Sequence, residues 1–148
     1  MYCFWTGEKH LGALDGVLGT EAGFMAGHEV VKVKYDPTII NKNTIAAAVK
    51  KRDFTPITDN GKYRTATNDI QYYLQHSYYK FLPLTTLQKT KINSALGNRA
   101  SADKYLSPKQ LTWLKELKYA KTTPRVLFNK DFVASWYQKD IDTQLASK

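Results

Sequence analysis

A single cysteine, Cys3, sets the terms for this 148-residue chain. One thiol cannot close an internal disulfide, so the fold must stand on its hydrophobic core alone. It also excludes a CxxC redox pair and a cysteine-rich zinc site. His10, His28 and His76 are scattered without metal-ligand spacing, and no P-loop, GxGxxG or GxSxG pattern is present. The length suits one packed domain, or a core with an appendage. No apolar run approaches a membrane span, and the first residues lack the charged and apolar regions of a signal peptide. These features predict a cytoplasmic protein; a mature secreted chain would read the same way.

The chain divides by charge and by pattern. Through Asp69 there are nine Lys/Arg against eight Asp/Glu; from Ile70 onward there are thirteen against five. Most of the net charge of +9 therefore belongs to the second half. Its lysines are dispersed and no arginine cluster accompanies them, which favours a solvated helical surface over a nucleic-acid face.

Phe4, Trp5, Leu11 and Leu14 fall at near-helical spacing, predicting a helix that starts after Cys3 and stops at Asp15-Gly16. Strands are expected at 17–24 and 30–35, the second β-branched, alternating and closed by Asp36-Pro37. Asn43 is a plausible cap for a helix over 44–52, and 63–67 reads as a further strand. Helix, strand, strand, helix, strand predicts an α+β fold, a ferredoxin-like split βαβ core lacking its first strand. Residues 70–148 read as a helical, basic, aromatic-rich extension of a 1–69 core. Helices are expected over 70–81, from the Thr85-x-x-Gln88 capping box to Gly97, after Ser107-Pro108, and over 132–137. A short strand is expected at 125–128.

Cys3 at a helix N-terminus would meet free backbone N–H groups and the positive end of the helix dipole, both of which favour a nucleophilic thiolate. The alternative is a small buried hydrophobe. Phe4 and Trp5 could wall an apolar ligand group or simply serve the core.

Three stretches occur in order: Cys3-Phe4-Trp5-Thr6-Gly7-Glu8, then 16–24 (GVLGTEAGF), then 27–37 (GHEVVKVKYDP). Together they resemble the motifs of peptide methionine sulfoxide reductases of type A, over residues 1 to 67. The resemblance implies that Cys3 is the attacking thiol and Glu29 the acid that protonates the sulfoxide oxygen. It implies that Tyr63 donates a hydrogen bond to that oxygen and that Asp59 supports the site, both within 59–64 (DNGKYR). Phe4, Trp5 and His28 would line the substrate, and Glu8 would support the first helix. Methionine sulfoxide, free or in peptides, would be the substrate. Thioredoxin, glutaredoxin or glutathione would be the reductant, with no metal or organic cofactor. This chain departs from the family in reading Gly-His-Glu for Gly-His-Ala-Glu. It also lacks an insert before that motif, one that carries a second oxygen-binding tyrosine. Tyr72, Tyr73, Tyr78 and Tyr79 are the available substitutes. Two other functions fit the same residues: a different thiol-redox role for Cys3, or a non-catalytic basic binding module.

Overall fold

A computed structural model describes residues 3–52, 54–57 and 61–146. It is an α+β structure: a small antiparallel sheet with helices against it. The first helix, α1 (Phe4–Leu11), ends where Gly12 donates back to the Glu8 carbonyl at 2.9 Å. The chain then turns at Gly16, whose φ of +92° suits glycine alone. A Cβ there would also lie 2.7 Å from Ile40. Strands β1 (Val17–Met25) and β2 (His28–Tyr35) follow. Ala26 and Gly27 join them with φ of 52° and 78°, the two positive values of a type I′ hairpin.

Helix α2 (Lys42–Lys50) begins two residues before its expected start. Its cap is Asn41 rather than Asn43, because the Asn41 side chain accepts the Thr44 N–H at 2.8 Å. Strand β3 (Tyr63–Thr65) pairs with the free side of β1, giving the order β2-β1-β3. The expected helix, strand, strand, helix, strand succession is the one observed, with three strands among the described residues.

The second half is helical with two local differences. The stretch 70–81 is broken into one helical turn, α3 (Tyr72–Gln75), and a 3-10 turn over Tyr78–Phe81. Ser77 causes the break: its hydroxyl donates to the Leu74 carbonyl and accepts the Tyr79 N–H, supplying a local alternative to the helical ladder. Residues 125–128 form no strand. The amides of Leu127 and Phe128 both donate to one acceptor, the Lys80 carbonyl, which alternating strand geometry does not permit.

Helices α4 (Thr86–Gly97) and α5 (Pro108–Leu117) carry the expected capping boxes, on Thr85/Gln88 and Ser107/Gln110. The two capping glutamines also bond each other, and Gln110 donates to the Pro83 carbonyl at 2.8 Å, fixing the two helix starts together. Helix α6 (Phe132–Ala146) runs well past Tyr137. Its Trp136 meets Trp113 edge-on at 4.8 Å in a core shared with Leu74, Leu82 and Ile92. No helix among the described residues is long and apolar enough to cross a membrane.

The halves are joined through buried polar groups. Glu8 on α1 is fully buried and accepts the Thr20 hydroxyl from β1 and the Gln71 N–H from the start of α3, both at 2.8 Å. Gln71 holds a left-handed φ of 49°. Burial pushes the Glu8 carboxyl up to about 7, against the opposing pull of those two hydrogen bonds. From α4, Lys91 donates to the Gly12 and Leu14 carbonyls, and Ser94 to that of Lys9.

Two outcomes follow. A carboxyl raised from 4.5 in the unfolded chain to about 7 binds its proton more tightly when folded. Its contribution to stability is complete below pH 4.5 and is lost as pH rises through 7. Urea unfolding of wild type and Glu8→Gln from pH 4.5 to 8 should show the variant gaining about 3 kcal/mol relative to wild type across that range. A pH-independent difference would contradict a buried, protonated Glu8. At the hairpin, alanine with positive φ is strained, so Ala26→Asn should raise the unfolding free energy by about 1 kcal/mol.

Candidate functional site

Cys3 is the N-cap of α1, and its sulfur accepts the Trp5 backbone N–H at 3.4 Å. The residue is partly exposed. Thus the thiol sits where the helix presents an unpaired N–H group, with one such group already directed at the sulfur. Below it lies a small cluster of Phe4, Ala22 and Ala66, against which Cys3, Trp5 and Phe24 pack. Phe4 is buried and meets Phe24 edge-on at 5.5 Å. Trp5 turns to the second half, where Tyr72 stacks on its ring at 3.8 Å. Tyr72 is braced in turn by His76, ring to ring at 4.1 Å. The buried indole N–H of Trp5 has no hydrogen-bond partner among the described residues.

The strand register decides which residues share this face. Alternate residues of a strand point to opposite faces, and directly paired residues point to the same one. Ala22 and Phe24 face α1. Glu29 pairs with Phe24 across β2, and Arg64 pairs with Phe24 across β3. Glu29, Phe24 and Arg64 therefore form one row on the α1 side of the sheet, with the Arg64 guanidinium 4.4 Å from the Phe24 ring centre. Glu29 is partly exposed and makes no hydrogen bond or ion pair among the described residues.

Tyr63 and His28 both pair with Met25 and so lie on the opposite face. There the Tyr63 phenol donates to the Glu21 carboxylate at 2.6 Å, beside the Thr65 hydroxyl at 2.8 Å. Burial and the Glu21 carboxylate raise the phenol above its ordinary value. Burial also works to raise Glu21, but the two hydrogen bonds and the Lys32 charge outweigh it and leave that carboxyl below its ordinary value. The ring of Tyr63 covers Gly23, where a Cβ would fall 2.4 Å from it. Asp59 lies outside the described residues.

Arg64, over the Phe24 ring, has no role assigned by the sequence, and Tyr73 is one of the four tyrosines named there as substitutes. Arg64 is the neighbour of Tyr63 in the same motif, and only the register distinguishes which of the two faces α1. Tyr73 follows the Trp5-stacked Tyr72, to which its ring is edge-on at 5.6 Å. Burial raises its phenol above the ordinary value, and the electrostatic influence of the nearby Cys3 adds to this. The tyrosine-rich composition of 70–81 was the available signal, but spacing alone does not single out one ring.

Among the described residues no cluster of three or more histidine, cysteine or acidic side chains could hold a metal ion. The arrangement offers a partly exposed thiol, an apolar wall, a carboxyl and a cation on one face, and a phenol from the second half. Comparison with known proteins gives one statement of kinship. The chain is 31% identical over 96 residues to the peptide methionine sulfoxide reductase MsrA of Methanococcus maripaludis. The match covers 53% of this chain and 59% of that protein. The matched length exceeds the part of this chain that it covers, so the relative carries residues within the match that this chain lacks. No family model matches the chain, and no solved structure does. The chain is thus similar, over about half its length, to a methionine sulfoxide reductase.

Proposed function

We propose that this chain reduces methionine sulfoxide, free or peptide-bound, using Cys3 as the nucleophile. The observation that carries the reading is the placement of a partly exposed cysteine sulfur at the cap of α1, on the same sheet face as Glu29. The Cys3 thiolate attacks the sulfoxide sulfur. Glu29 delivers a proton to the oxygen, which general acid catalysis requires of a group on the thiol's side of the sheet. Tyr73 takes the part of the phenol donor, from the second half of the chain. The oxygen passes to Cys3 as sulfenic acid and methionine leaves; its sulfur has gained two electrons and Cys3 has lost two. An outside thiol then displaces water from the sulfenic acid to form a mixed disulfide, and a second thiol releases Cys3. Thioredoxin, glutaredoxin or glutathione, as found in a reducing cytoplasm, would serve. Phe4, Trp5 and Phe24 provide the apolar surface for the methyl group. In this reading Tyr63 and His28 act on the structure of the sheet.

A different thiol-redox role for Cys3 draws support from the two-residue hairpin at Ala26-Gly27, which leaves that side of the site unwalled. Turnover decides between the two. With free methionine sulfoxide and dithiothreitol, wild type should form methionine, and Cys3→Ser should fall to the uncatalysed background. Equal rates in the two would overturn the mechanism. Glu29→Gln should lower kcat by about 10²–10⁴, Tyr73→Phe by about 10²–10³, and Tyr63→Phe should leave kcat close to that of wild type. Peroxide-dependent labelling of Cys3 by dimedone without sulfoxide turnover would favour the second role.

A further inference from the structure

Among the described residues β2 is an edge strand: β1 occupies one side and no strand pairs with the other. The hairpin makes Met25 and His28 a hydrogen-bonded pair, so by alternation His28, Val30, Lys32 and Lys34 turn their backbone groups toward β1. Glu29, Val31 and Val33 turn theirs outward, and none of their N–H groups has a partner outside the sheet among the described residues. Beside this edge runs a groove of about 550 Å³, lined by Val31 and Val33 of β2, Ile45 and Val49 of α2, and Phe54, and reaching Phe4 and Glu29 of the candidate site at one end. Such an edge offers unpaired backbone donors and acceptors to an extended strand, and the groove beside it offers an apolar surface.

The side chains of β2 restrict what that can be. Val31 and Val33 point to the groove face, and Lys32 and Lys34 to the other. Both lysines are exposed: Lys32 lies over the Tyr63 ring at 5.3 Å and its charge acts on Glu21, while Lys34 has no such partner, and neither forms a direct ion pair among the described residues. A second copy fits poorly: the two-fold pairing that sets Val31 against Val33 places Lys32 opposite Lys32, and each chain already carries a net charge of +9. We infer that this edge accepts an extended polypeptide strand of alternating apolar and acidic residues. The backbone of that strand completes the ladder of β2. Its apolar side chains enter the groove, and its carboxylates lie opposite Lys32 and Lys34. This inference does not rest on the chemistry at Cys3.

The test uses the full chain and three fluorescent nine-residue probes: alternating Val/Glu, alternating Val/Lys, and the Val/Glu composition with its residues in blocks. Anisotropy should show the alternating Val/Glu probe binding at least about tenfold more tightly than the other two. Hydrogen exchange should show the Val31 and Val33 amides protected by that probe. Lys34→Glu changes an exposed side chain away from Glu21 and Tyr63 and should weaken Val/Glu binding, and adding Lys32→Glu should reverse the preference to Val/Lys. The same preference in a Cys3→Ser background would hold the result apart from the activity proposed above. Equal binding of all three probes, or binding without protection at Val31 and Val33, would overturn the inference. So would concentration-dependent self-association that protects those amides with no probe present.

Discussion

The arrangement of this protein turns on one buried carboxyl. Glu8 has no solvent exposure, yet it is the point where α1, β1 and the segment before α3 meet. Each of its oxygens has a donor, one from a side chain and one from a backbone group in the other half of the chain. Burying an ionised carboxylate is expensive, and the structure meets that cost partly by hydrogen bonding and partly by favouring the protonated form. The left-handed backbone at Gln71 shows what the joint demands of its surroundings: a non-glycine residue is held in a costly conformation so that its N–H reaches Glu8. Once that joint is made, Tyr72 is delivered to Trp5 and the aromatic layer beside Cys3 follows.

What could be read from the chain was local. The helix after Cys3, the two long strands, the turn at Gly16 and both capping boxes depend on residues within a few positions of each other, where turn and cap chemistry is strongly specified, although the helix itself ends at Leu11, before the expected stop at Asp15-Gly16. What could not be read was relative placement. Tyr63 and Arg64 are adjacent, and a one-residue difference in register exchanges the faces they occupy. The motif resemblance pointed to Tyr63, whereas the pairing of Phe24 with Arg64 sets the cation on the α1 side. Glu29, reached by the same resemblance, does fall on that side. The break within 70–81 depended on Ser77 competing with the helical ladder, which an aromatic-rich pattern does not reveal. Tyr73 reaches the neighbourhood of Cys3 only through contacts made far along the chain.

The site is consequently built from two sources. The strands and α1 supply the thiol, the apolar floor and the charged row; the second half supplies an aromatic wall through Tyr72 and Tyr73. The hairpin at Ala26-Gly27 is as short as a hairpin can conveniently be, so the sheet contributes no long loop of its own above the thiol. The aromatic segment after β3 stands on the Trp5 side instead. Stacking at 3.8 Å gives that wall a defined orientation without any covalent link.

The end of α1 has a consequence for how the protein is made. A helix leaves its last carbonyls unpaired, and here the Leu11 carbonyl accepts the neighbouring Leu14 N–H, whereas those of Gly12 and Lys9 are taken up by Lys91 and Ser94. The partners stand 79 and 85 positions away along the chain. During synthesis α1 emerges from the ribosome well ahead of the side chains that seal its end. An eight-residue helix has little stability alone. The thiol at the cap of α1 therefore acquires its seat late, after a long loop has closed.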